Sequence, residues 1–185
     1  MKKIALLLLI ALPFISKAQD EKEKEDSLIA MFLPKDSNGT IKLFKVITVN
    51  NANANAIYSK AKLFIAETFV STKDVMQLND DASFTIVAKP AITTKTRWLV
   101  EYNGFVDYTL KIECKDNKYR YTITDFTFSY IDRFGKKITS PLEANRPTIY
   151  TKGMWRDVML QTASGIQLLT SSLQKKLVAN TTDNW

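Results

Sequence analysis

Histidine is absent from the 185 residues, and cysteine occurs once, at Cys114. Histidine-based triads and imidazole metal sites are therefore excluded, as are disulfide frameworks, which need cysteines in pairs. Glycine and proline number five each, and the glycines at 39, 104, 135, 153 and 165 are isolated from one another. No glycine-rich phosphate loop can be built from them. Apolar runs are short as well; none reaches the roughly 20 residues that a spanning helix requires, so no transmembrane anchor is expected.

The remaining composition is ordinary for a globular domain: 45% hydrophobic, 24% charged and 11% aromatic. Lys2 and Lys3 precede an apolar stretch from Ile4 to Ile15, and Ser16-Lys17-Ala18 places small residues before Gln19. That is the pattern of a secretory signal peptide over residues 1–18, cleaved between Ala18 and Gln19, and it predicts a periplasmic or extracellular location. Removing Lys2, Lys3 and Lys17 lowers the formal charge from +7 to +4. A basic chain invites a nucleic-acid reading, because phosphate contacts dominate such binding. Export argues against it, and the cations are spread along the chain, clustering no further than dilysines such as Lys136-Lys137. A solvated basic surface is the better reading, with no nucleic-acid partner.

Residues 19–38 alternate Glu and Lys and read as an acidic flexible leader, apart from a short apolar island at Leu28 to Leu33 that could dock. A single α+β domain is expected over 39–178, with residues 179–185 frayed. Ile41 to Val49 is apolar on both faces, which predicts a strand central in its sheet. One of Asn51, Asn53 or Asn55 should cap a helix that carries Ile57, Ala61, Phe64, Ile65 and Phe69 on one face. Val75 to Asn79 reads as a short strand and Ala82 to Ile92 as another, joined at Asp80-Asp81. From Phe105 to Cys114 apolar and polar residues alternate without a fault. Asp116-Asn117 turn the chain, and Tyr119, Tyr121 and Ile123 return on the buried face. At Asp125 the alternation slips, and Phe126, Phe128 and Tyr130 take the other parity. A β-bulge near Asp125, or a strand buried on both faces, explains the slip. Residues 132–151 read as a loop, and Gly153 to Val178 as a long amphipathic helix. The order β-α-β-β-β-β-α implies a two-layer sandwich, an antiparallel sheet with both helices on one face.

Several segments resemble a known family: Leu43 to Val49, the helix with Ala56 to Ala61, and the hairpin Tyr108 to Ile112 with Lys115 to Asp125. They look like an exported bacterial domain of unknown function, the 4468 family, with a TBP-like fold. The resemblance implies the same element order and brings no reaction, cofactor or catalytic residue. A TBP-like fold does not import DNA binding either, since fold alone does not fix function.

Chemistry without histidine would need paired carboxylates. The adjacent Asp80-Asp81 are explained by their turn, and Asp125 by the phase slip, where it could pair with Arg120 or Arg133. Cys114 falls in the apolar alternation and reads as a core thiol. No catalytic residue, metal site or cofactor is assigned. The remaining lead is aromatic. Phe126, Phe128 and Tyr130, with Trp98, Tyr102 and Asp125, would form a ligand or interface surface if they lie on the helix-free sheet face. The expectation is a non-enzymatic binding domain that engages an envelope protein, itself, or a small apolar ligand. The alternative is a helix-grip-like carrier with an apolar cavity beneath the last helix, and a carboxylate-based hydrolase ranks last.

Overall fold

The computed structural model describes residues 19–69, 71, 75–97 and 101–179. Residues 1–18, expected as a signal peptide, and 180–185, expected to fray, lie outside the described residues. The elements run α1 (19–32), β1 (Leu43–Thr48), α2 (Ala54–Thr68), β2 (Met76–Asp80), β3 (Thr85–Ala88), β4 (Ala91–Arg97), β5 (Glu101–Lys115), β6 (Lys118–Ile131), β7 (Lys137–Pro141) and α3 (Lys152–Val178).

The β5–β6 hairpin is the spine. It turns at Asp116-Asn117, where Asn117 has φ 59, a left-handed value that Asn tolerates. β1, β3, β4 and β7 each pair with one arm of it, and β2 pairs with β3. The order is β1-β6-β5-β3-β2, with β4 beside β5 and β7 beside β6 farther along the same arms, and all pairs are antiparallel. Helices α2 and α3 pack on one face of this sheet and on each other. Asn53 accepts a hydrogen bond from the Ala56 amide to cap α2, and Thr151 accepts from Met154 to cap α3. Ile57, Ala61 and Ile65 of α2 and Val158, Ile166, Leu173 and Leu177 of α3 are fully buried.

The phase slip is a bulge. Asp107 pairs with Thr127, but Thr109 pairs with Thr124, so Tyr108 stands opposite the two residues Asp125 and Phe126. Asp125 takes φ 57, and its carboxylate accepts a bond from the Thr124 hydroxyl at 3.1 Å. One extra residue on β6 rotates everything beyond it by one face.

Four expectations need correction. β1 is not central: it pairs with β6 alone, and its second apolar face, Phe44 and Val46, points to solvent. The leader is not flexible throughout, because residues 19–32 form a helix. Its apolar island packs on the core through Leu28, Ile29, Phe32 and Leu33, and Arg156 of α3 bonds Glu25, Asp26 and the Lys22 carbonyl. Residues 132–151 are not all loop, since β7 lies within them. Residues 82–92 are not one strand. Pro90 separates β3 from β4, and the Pro90 carbonyl accepts from the Tyr108 amide at the corner.

Candidate functional site

The aromatic candidates do come together, on the covered side of the sheet. Because the Asp125 bulge restores core parity, Phe126 is 1% exposed and Phe128 is fully buried. Phe126 stacks on Tyr108 at 5.8 Å between ring centroids. Phe128 meets Trp155 of α3 at 5.1 Å and Tyr150 at 5.3 Å, both edge to face. Tyr130 and Tyr102 are half-buried at the rim and pack on Tyr150 at 5.6 and 6.0 Å. These rings fill the space between α3 and the sheet. The expected open interface at Phe126 and Phe128 is thus corrected to core, and the volume a helix-grip carrier would keep empty is occupied. Trp98 lies outside the described residues.

Packing at this end is close. A methyl group added at Gly104 would fall 2.5 Å from the Phe128 ring and 2.9 Å from the Thr94 hydroxyl. The hydroxyls of Thr94, Thr96 and Tyr150 are buried here without a hydrogen-bond partner among the described residues.

The carboxylates are structural. Asp80 accepts from the Ala82 and Ser83 amides and from the Ser83 hydroxyl, and these bonds hold its carboxyl below the usual range. Asp81 accepts from the Tyr58 hydroxyl at 2.7 Å and from Lys62 at 3.3 Å, which lowers it likewise. Asp125 is exposed and bonded within its own bulge. Cys114 is 3% exposed, and burial pushes its thiol up to about 12, far from nucleophilic use at neutral pH. Among the described residues no group of three acidic or cysteine side chains could hold a metal.

What the hairpin presents to solvent is its other face, free of helices. Strand register lays out two rows across it. One runs Phe44, Thr122, Lys111, Val87, Leu78, and the next runs Val46, Arg120, Glu113, Thr85, Asp80. Phe44 is 63% exposed, Val46 56% and Leu78 49%. Between the apolar ends sits an ion cluster. Arg120 donates to Glu113 at 2.9 and 2.8 Å, and Lys111 reaches the other carboxylate oxygen at 3.0 Å. Burial raises the Glu113 carboxyl, but the bonds from Arg120 and Lys111 outweigh it and leave it below its ordinary range. Beside this cluster a depression of about 270 Å³ is lined by Val46, Glu113, Lys115, Lys118, Tyr119 and Arg120.

Sequence reasoning missed this surface because Phe44 and Val46 were read as evidence of a central strand. Those side chains project from the sheet face that carries no helix layer, so they are exposed whatever their strand's place in the sheet order.

Residues 44–129 match the model of a domain of unknown function, DUF4468, with TBP-like fold. No curated protein matches the chain. A crystal structure of a TBP-like protein from Parabacteroides distasonis superposes with a TM-score of 0.63 at 17% identity, covering 78% of this chain and 96% of that one. A DUF4468 family protein from Bacteroides ovatus gives a TM-score of 0.54 at 17% identity, covering 83% and 96%. At such identities the structures share the fold. Residues 44–129 are thus similar to the DUF4468 family model, and the structural likeness shows that the chain is built on a TBP-like α+β fold.

Proposed function

We propose that the protein is an exported, non-enzymatic interaction domain that holds an envelope protein on the helix-free face of its sheet. The observation that carries this reading is the pair of rows just described, which leave Phe44, Val46 and Leu78 about half exposed or more beside the Arg120–Glu113–Lys111 cluster. Apolar anchors flanking a charged centre give both contact area and orientation, which is how interaction surfaces reach specificity. Export rests on the basic, apolar and small-residue pattern of residues 1–18. The structural roles of Asp80, Asp81 and Cys114 favour binding over catalysis.

The test is native mass spectrometry of the protein purified from a bacterial envelope, comparing the natural chain with a Phe44→Ser/Val46→Ser variant. The expected result is a heterologous complex lost in the variant at unchanged melting temperature. A complex that survives the double substitution would place binding elsewhere. A clean multiple of the chain mass would replace the heterologous partner with a second copy, and a discrete small-molecule increment would favour a carrier.

A further inference from the structure

The β6–β7 turn is built to present an aromatic ring rather than to hide one. Asp132 accepts bonds from the Phe134 amide at 2.8 Å and the Lys136 amide at 2.9 Å. Its own amide donates to the Lys136 carbonyl at 2.9 Å, and the Gly135 amide donates to the Asp132 carbonyl at 3.0 Å. Gly135 adopts φ 78, so the turn requires a residue that tolerates the left-handed region. This fixed loop leaves Phe134 79% exposed at the apex and Ile131 54% exposed at its base. Tyr150 packs on Tyr130, which brings its neighbour Ile149, 43% exposed, to the same end of the sheet.

Cations surround the apex. Arg133, Lys136 and Lys137 are all exposed, and none has a carboxylate partner among the described residues. The turn's one acid, Asp132, is engaged by backbone amides. Glu101, at the same sheet end, faces Lys95 at 3.8 Å. Arg133 lies over the Phe134 ring with its guanidinium carbon 4.7 Å from the centroid, so charge and ring are carried together.

We propose that this hairpin tip docks on an anionic lipid bilayer, with Phe134 and Ile131 entering the headgroup region and Arg133, Lys136 and Lys137 meeting lipid phosphates. The shape selects a fluid surface, since a convex tip with a single projecting ring offers no groove to a folded partner. The arrangement of a ring at the apex with long cationic side chains around it suits the bilayer boundary, where apolar bodies sink and charged ends stay at the phosphates. Each cation near an anionic membrane strengthens binding about fivefold. This inference stands apart from the sheet-face reading, because the two surfaces share no residue.

The test uses the full chain as Phe134→Cys carrying an environment-sensitive NBD dye, with buried Cys114 unlabelled in the fold. A local dye reports this tip alone, independent of the apolar residues near the N-terminus. With vesicles rich in phosphatidylglycerol the emission should shift to the blue and brighten, and added salt should reverse it. Phosphatidylcholine vesicles should give no shift. Adding Lys136→Gln and Lys137→Gln should weaken the response roughly 25-fold, the square of the fivefold effect per cation. No shift on anionic vesicles overturns the proposal, as does a shift indifferent to salt and to both lysines. Capture of a protein by a photoreactive group at position 134, with no vesicle response, would overturn it in favour of a protein contact.

Discussion

Arg156 on α3 holds Asp26 of α1 at 2.7 Å and bonds Glu25 beside it, joining the first helix to the last. Both carboxylates raise the Arg156 guanidinium further above its ordinary value. The cluster is partly exposed, so its contribution to global stability is about 1 kcal/mol or less. Its local effect is larger, because α1 has few other anchors. Arg156→Ala should leave the melting temperature within a few degrees while amide exchange across 22–32 accelerates strongly. Hydrogen exchange read by mass spectrometry checks this, and unchanged protection would show that Leu28, Ile29 and Phe32 hold α1 alone.

The Asp125 bulge makes a sharper prediction. Its φ of 57 suits Gly, Asn or Asp and penalises a residue such as Ala by about 1 kcal/mol. Asp125→Ala should lower stability by about that amount, and Asp125→Gly should stay near the natural protein. Deleting Asp125 removes the extra residue, so Phe126, Phe128 and Tyr130 would turn to the solvent face. That variant should fail to fold. Urea unfolding of the three chains reads the order.

Two glycines test how closely β4 is packed, by the hairpin on one side at Gly104 and by α3 at Gly165. At Gly104 an added methyl meets the Phe128 ring and Thr94 below 3.0 Å, with no room to yield. Gly104→Ala should cost about 2 kcal/mol by overpacking. At Gly165 the nearest atom is the Ile92 Cδ1 at 2.8 Å, the end of a flexible side chain. Helix propensity favours Ala there by about 1 kcal/mol, so Gly165→Ala should be close to neutral. Equal effects would contradict this packing.

Acid should unfold the protein through Asp80, Asp81 and Glu113. Their carboxyls titrate lower when folded than their ordinary values of 3.8, 3.8 and 4.5. A group depressed in the folded state stabilises it above the unfolded value and loses that contribution as pH falls through the folded one. Stability should therefore be flat above the ordinary carboxylate range and decline below about pH 4. Asp81→Asn keeps an acceptor for Tyr58 and removes the charge, so its acid limb should be shallower. Denaturant midpoints across pH 6 to 2.5 measure both curves.

Much of this fold was legible because alternation and helical spacing are local. The faultless pattern from Phe105 to Cys114 marked β5, and the slip at Asp125 marked the bulge. The spacing from Met159 to Leu177 likewise marked α3. Legibility failed where a residue's environment depends on distant chain. The apolar character of Phe44 and Val46 is the same at an edge or at a centre, and only pairing tells which. Likewise, nothing local told whether the bulge turned Phe128 toward solvent or toward Trp155. Residues 19–32 looked too charged to order, yet Arg156, far along the chain, supplies the partner for their acids.

The pairing of Leu43 with Ile123 also bears on how the chain reaches this state. β1 is finished early in synthesis, but the arm of the hairpin it needs is made only after β2 to β5. Until then Phe44 and Val46 belong to a sticky ribbon with neither edge satisfied. Folding must wait for a late, long-range closure, which slows it and leaves an interval open to misassociation. A holding chaperone would find its handle there, in a strand that stays half uncovered even when folding is complete.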